Sequence, residues 1–241
     1  MKKSEQQEIL NAIKTWFREV ILPNHIKNTE KLANADEFDI NPFLTPYLAA
    51  FLTGELTNES VAKALLYPRV LGTSITTSFG QNMQQFISAV LKDSYGSLVP
   101  GIDLEFIDAV DGRKKYCQAK LGPNTINKDD VETIHHHFRS AKNLGRTNKV
   151  EVQQGDLVVG ILYGELGQES NHYKKLRDQY DHPLYIGQEF WLRLTGEADF
   201  YRKLQNAIAE VAVEARGAEM LDRVTKTLSE TDAIRKIVGE K

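Results

Sequence analysis

Seven consecutive apolar residues, Leu157-Val-Val-Gly-Ile-Leu-Tyr163, constrain this chain more than any other feature. A strand with one solvated face alternates polar and apolar side chains. An unbroken run suits a central strand covered on both faces, and such strands sit in sheets layered with helices. Upstream, Ile102-Asp-Leu-Glu-Phe-Ile-Asp-Ala-Val110 reads as a strand, Asp111-Gly112 as a hairpin signal, and Lys115 to Leu121 as the returning strand. A turn, Gly122-Pro-Asn-Thr, leads to Asn127, a good N-cap. The helix it caps is expected to bury Val131, Ile134, Phe138 and Ala141 and to close at Gly145. Leu184-Tyr-Ile-Gly187 supplies a further strand. The order β-β-α-β, plus one strand, predicts an α/β (α+β) fold with a mixed sheet.

Helices are expected on both flanks. Ser4 caps a segment whose apolar positions Ile9, Leu10, Ile13, Trp16, Phe17 and Val20 recur at helical spacing, with Pro23 as the expected stop. Shorter helices are predicted over 42–52 and 60–67. Another is predicted over 80–91, with Met83, Phe86, Ile87, Val90 and Leu91 on one face and Gln81, Gln84 and Gln85 on the other. From Asp199 onward the chain reads as helical, with a break near Gly217. No Pro/Gly/Ser-rich stretch separates two halves, so a single domain is expected over 1–241: a helical part (1–95), an α/β core (96–190) and C-terminal helices (191–241).

Charges in the first twenty residues, Glu5, Glu8, Lys14, Arg18 and Glu19, exclude a signal-peptide core. No apolar run approaches the ~20 residues that span a bilayer, and Cys117 is the only cysteine. A cytoplasmic protein is the expectation. The net charge of −3 hides an asymmetry. Residues 113–149 hold nine Lys/Arg against three acids, a local +6, which leaves the rest of the chain at −9. A basic strip on an acidic body suits a protein that meets a polyanion on one face.

The hairpin carries the chemistry. Alternation puts Gln118 and Lys120 on one face, roughly 7 Å apart, and Asp103 and Glu105 on one face of the preceding strand. A turn centred near residue 112 sets positions near 103 opposite positions near 120. The Asp103 carboxylate, the Gln118 amide oxygen and the Ala119 carbonyl are then hard ligands suited to Mg²⁺, with Lys120 beside them to offset developing charge.

Asp103, followed after fourteen residues by Gln118-Ala119-Lys120 in a β-β-α-β run, resembles the D-x(n)-(E/Q)-x-K signature of the PD-(D/E)xK nuclease superfamily. More closely, Asn41-Pro-Phe-Leu, Tyr67-Pro-Arg-Val-Leu-Gly-Thr-Ser74, Gly101-Ile-Asp-Leu-Glu-Phe, Gly112-Arg-Lys-Lys-Tyr-Cys-Gln-Ala-Lys120, Gly122-Pro-Asn-Thr-Ile-Asn-Lys-Asp-Asp130 and Phe190-Trp-Leu-Arg-Leu-Thr-Gly196 resemble the PmeII-type group of type II restriction endonucleases. The resemblance implies a restriction-endonuclease-like fold and Mg²⁺-dependent cleavage of double-stranded DNA. It implies Asp103 as metal ligand, Gln118 as the second ligand position and Lys120 as the catalytic lysine. A homodimer cutting a short GC-rich palindrome of the GGNCC kind is implied as well, with a cognate methyltransferase in the same system. Gln118 departs from the more usual glutamate, which makes Glu105 a candidate to complete the metal shell. The helix before the hairpin, where related nucleases often carry a glutamate, offers only Gln84 and Gln85.

For DNA contact the sequence nominates Asn127, Arg139, Lys142, Arg146, Lys174 and Lys175. The last two lie in a polar segment, 167–182, that reads as a long loop suited to base recognition. His135-His-His137 cannot chelate one ion together, because consecutive helical residues point about 100° apart. Two other functions stay open: a repair or junction-resolving nuclease of the same fold, and a non-catalytic DNA-binding protein with a vestigial site.

Overall fold

A computed structural model describes residues 3–82, 86, 90, 91 and 95–239. Two compact units make up the chain: Met1–Lys14 with Met83–Ile208, and Thr15–Asn82 with Ala209–Lys241. Helices α1 (Lys3–Trp16), α2 (Leu22–Lys31), α3 (Leu44–Thr53), α4 (Asn58–Pro68) and α5 (Ile75–Gln81) precede the strands β1 (Leu104–Ile107) and β2 (Lys114–Lys120). Helix α6 (Lys128–Thr147) leads to β3 (Leu157–Ile161), and α7 (Asn171–Asp178) to β4 (Leu184–Ile186). Next come α8 (Gln188–Thr195), α9 (Phe200–Glu214), α10 (Gly217–Ser229) and α11 (Asp232–Val238).

The first unit is built on a mixed sheet ordered β1-β2-β3-β4. β1 and β2 run antiparallel, whereas β2–β3 and β3–β4 are parallel. Every residue of β3 is buried, as its apolar run requires. One face of the sheet, with Tyr116, Leu157, Val159, Ile161, Leu184 and Ile186, packs on Val131, Ile134, Phe138 and Ala141 of α6 and on Tyr173 and Leu176 of α7. On the other face Phe190 of α8 meets Phe106 edge to face at 6.5 Å. Its ring lies so close to Gly160 that a Cβ there would fall 2.4 Å from Phe190 Cε2. This explains the one glycine in an otherwise aliphatic strand.

The second unit is helical. Leu32, Ala49, Val61, Ala62, Leu66, Val70, Val224, Leu228 and Ile234 form its core. Thr57 and Ser60 cap α4 reciprocally, side chain to backbone.

Three expectations are corrected. Pro23 does not stop the first helix: a wide turn of π type over Phe17–Ile21 leads into α2, where the proline sits in the first turn and its missing N–H costs nothing. Segment 167–182 is not one long loop. Tyr173 and Leu176, three residues apart, bury the inner face of α7, a signal that its polar neighbours mask. Gly145 lies inside α6, which runs on to Thr147. Of the helix expected over 80–91, the sites Met83, Gln84, Gln85 and Ile87 lie outside the described residues.

Candidate active site

The hairpin turn occupies 108–113. Asp108 N–H donates to the Arg113 carbonyl at 2.9 Å and Gly112 N–H to the Asp108 carbonyl at 2.8 Å, with Gly112 at φ +71°. Asp108 is fully buried and held by Arg193 of α8 at 2.7 Å. With Asp108 opposite Arg113, Leu104 faces Cys117 and Glu105 faces Tyr116, which brings position 103 opposite 118 rather than 120. The register differs by two residues from the one the turn predicts. An even slip preserves parity, so every side chain stays on its expected face; a slip of one would have reversed them all.

At the far end of the hairpin, Asp103 N–H donates to the Cys117 carbonyl at 3.0 Å. Its Oδ2 accepts the Ala119 N–H at 2.9 Å. Burial pushes the Asp103 carboxyl above the ordinary range, while the Ala119 N–H, Lys120 and His137 pull it partly back. Lys120, half-buried at the end of β2, forms no ion pair among the described residues.

Gln118 is buried on the face covered by α6. Its Nε2 lies in hydrogen-bonding contact with the Gly101 carbonyl and, at 2.6 Å, with Nδ1 of His137. A carbonyl can only accept, so the atom facing Gly101 is the amide nitrogen. With His137 Nδ1 taking the second N–H, both donors of the amide are used. Gly101 has φ +79°, and a Cβ on it would fall 2.4 Å from the His137 ring, so position 101 needs glycine on both counts.

Other predicted residues are engaged elsewhere. The Glu105 carboxylate accepts from Ser97 Oγ at 2.5 Å and pairs with Lys114 at 2.6 Å. Burial would raise it, but these two partners hold it below the usual carboxylate range. Among the described residues no three His, Cys, Asp or Glu side chains gather as a metal site. Asn127 caps α6 by accepting the N–H groups of Asp129 and Asp130, and Asp130 accepts from Asn127 N–H in return. Lys142 donates to Gln154 at 3.2 Å. Lys175 pairs with Glu132 at 3.1 Å and lies over the Tyr180 ring. Lys174 is half-buried on α7, and Arg139 and Arg146 are exposed along α6. The +6 strip is thus divided, because Arg113, Lys114 and Lys115 are bound to Asp156, Glu105 and Asp111.

The histidine triplet points three ways. His135 stacks on Tyr180 at 4.0 Å, His136 is exposed, and His137 turns to Gln118. Sequence reasoning missed this last contact. The available signal was helical position: His137 lies three residues after Ile134 and four before Ala141, on the edge of the buried stripe.

A four-stranded mixed sheet between helices, with an acid before β1 and an amide and a lysine on β2, defines a protein of the restriction-endonuclease-like fold. The family model for type II restriction endonuclease EcoO109I matches residues 11–216. The chain belongs to that family, and is thus a site-specific nuclease whose substrate is DNA. No curated protein matches the chain. No helix among the described residues is long and apolar enough to cross a membrane.

Proposed function

We propose that this protein is a Mg²⁺-dependent type II endonuclease that cuts both strands of a short GC-rich palindrome, of the GGNCC kind, as a homodimer. A cognate methyltransferase would protect the host DNA, and both proteins would act in the cytoplasm. The observation that carries the reading is the placement of Asp103, Gln118 and Lys120 on one face at the open end of the hairpin, where the Asp103 carboxylate is desolvated and accepts the Ala119 N–H.

The donor set fits Mg²⁺. Asp103, Gln118 Oε1 and the Ala119 carbonyl are all oxygen ligands, and a dication offsets the charge that burial leaves on Asp103. A bound Mg²⁺ supplies charge stabilisation at the phosphoryl oxygens and acidifies its water. Lys120 orients the attacking water and offsets the negative charge that develops on the phosphate. His137 and Gly101 engage both N–H groups of the Gln118 amide, which leaves its oxygen for the metal. A glutamate at this position would face the Gly101 carbonyl with another acceptor, which gives the departure from the usual motif a local cause. Arg139, Arg146 and Lys174 are the cations best available to phosphates, where they would add affinity and salt dependence without sequence information.

The test is incubation with a sequenced phage genome and Mg²⁺, followed by mapping of fragment ends. Discrete ends at one palindrome, abolished by EDTA, are expected. Cutting confined to branched or damaged DNA would move the assignment to repair. Tight duplex binding without Mg²⁺- or Mn²⁺-dependent cutting would make the site vestigial.

A further inference from the structure

Helix α3 carries no charge and is apolar around most of its circumference, a pattern expected of a buried helix. Yet only Thr45 and Ala49 are buried, on the side that meets the core of the second unit. The outer face is bare: Phe43 is 89% exposed, Tyr47 61% and Phe51 79%, with Leu44, Leu48, Leu52 and Leu56 also exposed. Phe43, Tyr47 and Phe51 recur every four residues and form one stripe, and the rings of Tyr47 and Phe51 stack at 6.0 Å. These seven side chains present roughly 800 Å² of surface, beyond the ~300–600 Å² patch common on monomers and close to one partner's share of a stable interface.

We propose that this face of α3 is the surface through which two copies of the chain associate, an inference that rests on the homodimer proposed above. The extent of the apolar area and its lack of charge point to this occupant. No charged residue lies between Asn41 and Gly54, and the flanking ones, Asp36, Glu37, Asp39 and Glu55, are all acidic. Their sign disfavours a polyanion or an anionic lipid surface as occupant, and the uncharged interval between them leaves the apolar stripe open to a second copy. An uncharged stripe is self-complementary: two copies related by a two-fold axis bury the same leucines and aromatics against each other. Tyr47 and Leu48, at the middle of the stripe, then lie nearest the axis. A palindrome-cutting enzyme gains a matching two-fold, with one catalytic centre per strand.

Sedimentation equilibrium on the full chain tests this. The wild type should have twice the chain mass, and Tyr47→Glu/Phe51→Glu should raise the dimer dissociation constant about a hundredfold or more with unchanged helical circular dichroism. If that variant loses helicity, Leu48→Cys decides, because the native Cys117 is fully buried. Oxidation should link Leu48→Cys chains into a covalent dimer, and failure to link would overturn the proposal. A monomeric wild type would also overturn it, as would a dimer that the double variant leaves intact. So would a monomer that co-sediments with phosphatidylcholine vesicles, which would make lipid the occupant. Lys120→Ala must dimerise like the wild type. If neither chain cuts DNA but the stripe still controls association, the nuclease reading falls and the interface stands.

Discussion

The two ends of β2 carry similar residues and treat them in opposite ways. At the entry, Lys115 is buried between Asp111 at 2.7 Å and Asp156 at 3.4 Å, and Arg113 binds Asp156 at 2.6 Å. Each buried charge there has an opposite charge in contact. At the exit, Asp103 accepts one backbone N–H and stays above the ordinary carboxylate range, while Lys120 forms no ion pair among the described residues. A closed network locks a fold; an open one retains the capacity to bind. The pair teaches that the composition of a strand does not reveal which of its charges are available. Only their partners do.

The largest expected effect is at the open end. Lys120→Ala should slow single-turnover cleavage by roughly a hundred- to a thousandfold while duplex binding persists in a gel-shift assay. Retained cleavage would erase the distinction between the two ends.

At the closed end, Asp156→Ala should cost about 3 kcal/mol in urea unfolding, because it strips a partner from buried Lys115. Cleavage per folded molecule should be unchanged. Burial favours a raised Asp156 carboxyl, but Arg113, the Gln153 N–H and Lys115 together hold it below the ordinary value. Its stabilisation is therefore complete above the unfolded pKa, about 3.9, and is lost as pH falls through the lower folded value. The variant should show a shallower loss of stability in acid.

Smaller effects sharpen the comparison at Gln118. Gln118→Glu turns an acceptor toward the Gly101 carbonyl and should lower stability by about 1–3 kcal/mol. His137→Ala should weaken Ca²⁺ binding measured by calorimetry, and His137→Asn, which retains an acceptor, should restore part of it. Equal loss in both variants would show that His137 acts only through packing.

The smallest effect has the opposite sign. The raised Asp103 pKa means that its contribution to stability is present below the ordinary carboxylate range and lost as pH rises. Asp103→Asn should therefore raise the melting temperature of the metal-free protein at neutral pH. Added Ca²⁺ should raise that of the wild type and leave the variant unmoved. A destabilised Asp103→Asn protein would mean that the open end is structural after all.

Much of this site was legible in the sequence. The alternation of Gln118 and Lys120, the turn at Gly112 and the Asn127 cap are local features, and the observed hairpin and α6 follow them. The register was legible only to parity: the turn closes with Asp108 opposite Arg113, centred short of residue 112, and Arg193, 85 residues away in the chain, holds the buried Asp108 there. Glu105 looked available, since nothing in the strand pattern reveals that Ser97 and Lys114 engage it. The short helix α7 escaped because two buried residues are a weak periodic signal among six polar ones.

By itself, then, the sequence determined which segments become strands, the faces of the hairpin and the approach of acid, amide and lysine, because period and turn chemistry act between near neighbours. Tertiary structure alone decided which charges are neutralised, which way the Gln118 amide is turned and which apolar helix is left bare. Those outcomes depend on side chains that crossover packing brings together from distant parts of the chain, where no local periodicity reaches.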